Sequence, residues 1–128
     1  MGNDLPNLIW VDCEMTGLDL NKDALVEIAV LVTDAQLNIL GEGVDLVIKT
    51  TPEKLAGMDD FVKNMHTESG LINEIPNGVS LEEADAAIIA YLTKYAPGEG
   101  KSPLAGNSVY VDRGFIARDL PLLNKYLH

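Results

Sequence analysis

The sequence predicts an α/β fold, a mixed sheet flanked by helices, on three observations. Three short apolar runs rich in β-formers follow one another near the start, with short links between them. A capped amphipathic helix occupies the middle of the chain, and a further strand and helix come after it.

Taken in order, Leu8-Ile9-Trp10-Val11-Asp12 reads as a buried strand. Residues 15–23 contain Gly17 and Asn21 and are expected to form a flexible loop. Residues 25–33 and 39–49 read as the second and third strands, with a tight connection at 34–38. Links this short favour antiparallel neighbours, because parallel ones need a longer crossover. Pro52 suits the first position of a helix, and Glu53 after it suits the dipole. Another short helix is expected over 58–65. The clearest helix covers 80–95. Ser80 and Glu83 form a capping box, and Leu81, Ala84, Ile88, Tyr91, Leu92 and Tyr95 make one apolar stripe. Pro97-Gly98 stops it. A short strand over 103–107 and a helix over 111–120 follow, with Pro121 starting a further turn or breaking the run.

The length of 128 residues fits one domain, 1–128, with one core. A hydrophobic share of 47% and a charged share of 23% place the chain among globular proteins rather than disordered ones. No apolar run is long enough to span a bilayer, so no membrane partner is expected. The segment from Met1 to Asn7 lacks the basic start and apolar stretch of a secretory signal. Cys13 is the single cysteine, which excludes an intrachain disulfide and fits a reducing cytoplasm. Nine Lys and Arg against 20 Asp and Glu give a formal net charge of -11. That balance argues against a long groove tracking phosphates. It leaves two readings: a substrate other than nucleic acid, or a short one held through bound cations.

Asp12 and Glu14 sit two apart beyond the first apolar run, so they share one face of a strand while Cys13 faces the other way. Two adjacent carboxylates repel each other unless cations bridge them. Mg²⁺ and Mn²⁺ favour such oxygen ligands. By itself Asp-x-Glu is a weak signal, since solvated strand faces often carry two acids. The preceding apolar strand places the pair at the sheet's edge, and Thr16 and Gly17 next to it suit close approach of a ligand. Asp112 is the third candidate. It follows a strand and lies near a helix start, so it converges on the pair if that strand neighbours the first. Its bland alternative is a carboxylate favouring a helix N-terminus.

The run Leu8-Ile9-Trp10-Val11-Asp12-Cys13-Glu14-Met15-Thr16-Gly17-Leu18-Asp19 resembles the first motif of the oligoribonuclease family of DEDDh exonucleases. Glu27-Ile28-Ala29, Met58-Asp59-Asp60, His66-Thr67-Glu68-Ser69-Gly70-Leu71 and Pro103-Leu104-Ala105-Gly106-Asn107-Ser108 are similar to that family too, and in its order. The resemblance implies a ribonuclease H-like fold and two divalent ions, Mg²⁺ or Mn²⁺. It also implies 3′-to-5′ hydrolysis of short oligoribonucleotides, dinucleotides above all, by a cytoplasmic homodimer. Residue by residue, it implies metal ligation by Asp12, Glu14 and Asp112, with Leu18 and Phe61 packing bases and His66 lining the substrate pocket.

The departures from that pattern are informative. The family's general-base histidine and last aspartate lie in a His-x-x-x-x-Asp motif, and nothing after Asp112 offers it. His128 matches a His-Tyr-Arg segment that precedes that motif. Tyr110 and Gly114 differ from the commoner residues there, Gly114 removing an arginine. The chain ends at Tyr126-Leu127-His128 without polar tail or cap. The expectation is therefore a C-terminally truncated domain that is itself inactive. Two alternatives stand beside it: a non-catalytic fold fragment or interaction module, and a DNA-directed relative sharing the first acid pair.

Overall fold

A computed structural model describes residues 5–107 and 109–127. The readings of Met1 to Asp4, Ser108 and His128 lie outside the described residues. Four strands, β1 (Leu8–Met15), β2 (Leu25–Thr33), β3 (Ile39–Val47) and β4 (Leu104–Ala105), make one sheet in the order β3-β2-β1-β4. β1, β2 and β3 pair antiparallel, as their short links require, while β4 lies parallel to β1 after the long helical crossover. The mixed sheet agrees with the expected fold class.

Side-chain alternation divides the sheet into two unlike faces. Ile9, Val11 and Cys13 on β1 and Ile28, Val30 and Val32 on β2 are buried in the main core. On the opposite face Trp10 pairs with Leu31, Asp12 with Ala29 and Glu14 with Glu27. Asp12 and Glu14 therefore stand on the face away from that core.

The middle of the chain forms α1 (Pro52–Ala56), α2 (Asp60–Glu68), α3 (Leu71–Glu74) and α4 (Leu81–Tyr95). Pro52 opens α1, with Thr51 accepting the Lys54 amide as its cap. The helix expected over 58–65 starts later, because the Asp59 side chain accepts the Val62 amide and caps it. α3 and the 3-10 turn Ile75–Asn77 after it have no counterpart in the sequence expectations. The Ser80–Glu83 capping box forms as expected, and Ala84, Ile88, Tyr91 and Leu92 of α4 are buried. The Tyr91 hydroxyl ties the sheet to this helix, donating to the Leu40 carbonyl at 2.7 Å and accepting from the Val32 amide at 2.9 Å.

α5 (Val109–Asp119) and α6 (Pro121–Tyr126) complete the core layer, with Phe115, Ile116, Leu120 and Leu123 inaccessible. Pro121 begins a further helical turn rather than breaking the run. No side chain of α6's own flank caps it. Instead Asp85 of α4, 3% exposed, accepts the Leu122 and Leu123 amides at 2.9 Å each. A buried carboxylate satisfied by two amides is worth about 1–3 kcal/mol per charged hydrogen bond, which fastens α6 to α4.

Candidate active site

β1 runs to Met15, three residues beyond the expected Asp12, so Asp12 and Glu14 both lie within the strand rather than at its end. Nor is β1 an edge strand, since it pairs on both sides. β4, expected over 103–107, is only Leu104–Ala105 and ends opposite Trp10. Gly106 terminates it. The backbone there takes φ +141°, and a Cβ would come within 2.7 Å of the Val11 carbonyl oxygen. The acid pair thus occupies the stretch of β1 that has outrun β4.

Asp112 sits in the first turn of α5, 6% exposed, against Cys13 and beside this stretch. Burial holds its carboxyl above the ordinary range, the Cys13 amide opposes this, and Asp12 and Glu14 add to it. Burial likewise raises Glu14, with His66 opposing and Asp12 reinforcing. The Cys13 thiol is driven well above its usual range by burial and then by the three carboxylates around it, so it is an inert thiol. The structure thus brings Asp12, Glu14 and Asp112 into electrostatic reach of one another. It does not converge them fully: among the described residues no group of three or more His, Cys, Asp or Glu is close enough to hold a metal ion. The donor chemistry, carboxylate oxygen throughout, suits a hard divalent cation.

A fourth carboxyl joins the cluster. Glu27, directly across from Glu14, is raised to about 7 by burial and then by its hydrogen bond to Asp45 and the charge there. Its folded value lies above the unfolded one, so the fold binds the extra proton between these two limits. Its contribution to stability is therefore fully present at low pH and is lost as pH rises from about 4.5 towards about 7. Urea unfolding followed across that window is expected to show this decline, and Glu27→Gln is expected to flatten it. A profile unchanged by the substitution would rule out the Glu27–Asp45 proton as its source.

Beside Glu14 lies a cavity of about 480 Å³. Leu18 and Phe61 line it while remaining 74% and 77% exposed, so both apolar side chains are held out beside an open slot. Met65, Val62 and Asp59 complete its α2 wall. Sequence reasoning missed these three, although Met65 stands one helical turn after Phe61 and so shares its face. His66 is absent from the lining. It is 1% exposed on α2, and its Nε2 lies 2.8 Å from the Met15 carbonyl oxygen, holding α2 to the end of β1. A second cavity, about 500 Å³, opens on the sheet face beside Asp12, with Trp10, Leu31, Asp45 and Asn107 in its walls.

The flexible loop expected over 15–23 is observed between the strands at 16–24, and it is braced internally. Thr16, 1% exposed, donates to the Asp23 carboxylate at 3.0 Å and accepts the Ala24 amide. Asp23 also accepts the Asp19 amide. Gly17 is required by this arrangement, since a Cβ there would fall 2.3 Å from the Asp23 Oδ2.

The exonuclease family model RNase_T matches residues 9–128. The chain is 53% identical over 121 residues to an oligoribonuclease of Cutibacterium acnes, covering 94% of this chain and 60% of that protein. An oligoribonuclease of Rhodococcus jostii is 55% identical over 122 residues, covering 94% and 61%. The chain thus spans about 60% of the length of the relatives it matches. Among solved structures, E. coli Exonuclease I in complex with a 5cy-dA13 oligonucleotide superimposes with a TM-score of 0.67 at 20% identity. That superposition takes in 95% of this chain and 25% of the other, a likeness of fold. Among the described residues no helix is long and apolar enough to cross a membrane. The ribonuclease H-like sheet and the match along nearly the whole chain place it in the exonuclease family, similar within it to the oligoribonucleases.

Proposed function

We propose that the complete protein hydrolyses short oligoribonucleotides from the 3′ end, and that this 128-residue chain supplies the substrate slot and most of the metal ligands but is itself inactive. The observation carrying this reading is the pair of exposed apolar side chains, Leu18 and Phe61, beside the cavity bordered by Glu14. A nucleobase is flat and apolar on both faces, and such a slot suits it by stacking rather than by base-edge recognition.

Asp12, Glu14 and Asp112 would hold two Mg²⁺ or Mn²⁺ ions, with Asp112 leaving Cys13 to complete the set. When bound, such ions supply electrostatic stabilisation of the attacking and leaving oxygens of a phosphodiester. The chain's own residues do the rest of the positioning. Leu18 and Phe61 seat the base, and His66 supports the slot from behind through Met15. The net charge of -11 repels long polyanions at a distance and disfavours extended substrates. The working form proposed, as the family resemblance implies, is a cytoplasmic homodimer.

Calorimetric titration of Mn²⁺ into the chain tests this reading. Asp12→Ala is expected to weaken binding by at least about tenfold, the range seen when a metal's ligand environment is broken. Equal affinity in both proteins would favour a non-catalytic interaction module instead. Short RNA competed against longer single-stranded DNA separates the proposal from a DNA-directed exonuclease.

A further inference from the structure

The segment that presents Leu18 and the third carboxylate come from distant parts of the chain, yet one helix contacts the first and carries the second. α5 carries Asp112 in its first turn and Arg118 in its last. The Arg118 Nη1 donates to the Leu20 carbonyl at 2.6 Å, reaching the same 16–24 segment that presents Leu18. The guanidinium is not loose. Its Nε and Nη2 donate to the two Asp119 carboxylate oxygens at 2.8 and 2.6 Å, and its carbon stands 4.9 Å from the centre of the Phe115 ring. Phe115 is fully buried, so the clamp is anchored in the core. One turn earlier, Gly114 leaves room for Leu20: a Cβ there would lie 3.1 Å from the Leu20 Cδ1. Leu20 is therefore seated on α5 by its side chain and tied to it by its carbonyl.

We propose that Arg118 is a positioning residue for substrate: it locks the 16–24 segment to α5, so that Leu18 and Asp112 keep a fixed separation. The proposal deepens the reading of the slot as a base-binding site and rests on it. The segment's internal bonds, Thr16 and Asp19 to Asp23, hold its shape, whereas Arg118 holds its place. A planar, anchored donor aimed at a single carbonyl fixes direction as well as distance.

Arg118→Met keeps an apolar stem over Phe115 and removes the donor, while Arg118→Lys keeps one donor of similar reach. Hydrogen exchange of the 128-residue chain reads the tether directly. Arg118→Met is expected to speed exchange of the Lys22 and Asp23 amides, which bond to the Asp19 carbonyl, by about tenfold or more, with α4 unchanged and Arg118→Lys close to the unsubstituted chain. Binding of a fluorescent diribonucleotide in Mn²⁺ reads the consequence. Arg118→Met is expected to weaken it five- to twentyfold, with Arg118→Lys restoring most of the loss and Mn²⁺ affinity staying within twofold throughout. Unchanged exchange at Lys22 and Asp23 overturns the tether, and faster exchange with unchanged dinucleotide affinity overturns its role in positioning. If the unsubstituted chain binds no dinucleotide, the base-slot reading fails and the positioning role falls with it, while exchange still decides whether the tether exists.

Discussion

Given a labelled diribonucleotide and Mn²⁺, the 128-residue chain is expected to turn over about two to four orders of magnitude more slowly than a full-length oligoribonuclease, the usual cost of a missing general base. The sequence contains two histidines, His66 and His128. His66 is buried, with Nε2 held at the Met15 carbonyl, and it does not line the slot, so it is not placed to take a proton from a water there. His128 resembles a family position ahead of the catalytic motif. The remaining acids on this sheet face do not compensate. Glu27 is hydrogen-bonded to Asp45, and Glu14 and Asp112 are, on the proposed reading, metal ligands. An incomplete ligand set adds to the loss, since Asp112 rests against Cys13 rather than converging with the other two. Comparison at equal protein concentration, with single-turnover conditions to separate binding from chemistry, decides the matter. Turnover equal to the full-length enzyme would mean that a group within residues 1–128 serves as the base.

The parts of this arrangement that were legible beforehand are those written in local sequence. β2 is a run of β-branched and aliphatic residues and was read with its observed bounds, Leu25–Thr33. α4 announces itself by the Ser80–Glu83 box and a stripe of period 3.6. Asp12 and Glu14 share a face because strand alternation demands it. What stayed hidden depends on partners far along the chain. Asp85 looks like one more polar residue on a helix, and its task is set by two amides 37 and 38 residues away. The resemblance gives His66 as lining the substrate pocket; in the fold it lies on α2, and its burial goes with a carbonyl 51 residues distant. Gly17 and Asn21 predict a flexible loop over 15–23. Its order comes from a carboxylate, Asp23, that folds back over the glycine. Gly106 shortens β4 through contact with β1, and no property of residues 103–107 alone conveys that.

Phe115→Ala is expected to cost about 3–5 kcal/mol of stability. Among the described residues Phe115 is the largest of the fully buried side chains. It lies one turn after Asp112 on α5 and beneath Arg118, so the same ring anchors the carboxylate's helix and the guanidinium that reaches Leu20. Removing it leaves a cavity that the closely packed sheet and helices close only in part, and it also removes the cation–π contact. Set against a typical domain stability of about 5–15 kcal/mol, that loss brings the chain near its folding threshold. Thermal and urea unfolding measured together should show a lower midpoint with a similar denaturant slope. Phe115→Leu keeps much of the volume and is expected to cost distinctly less, so the pair separates packing from a general intolerance of change. A loss below about 1 kcal/mol for Phe115→Ala would place α5 elsewhere than on the core face of β1. Such a shift would carry Asp112 away from Asp12 and Glu14, and the candidate metal site would go with it.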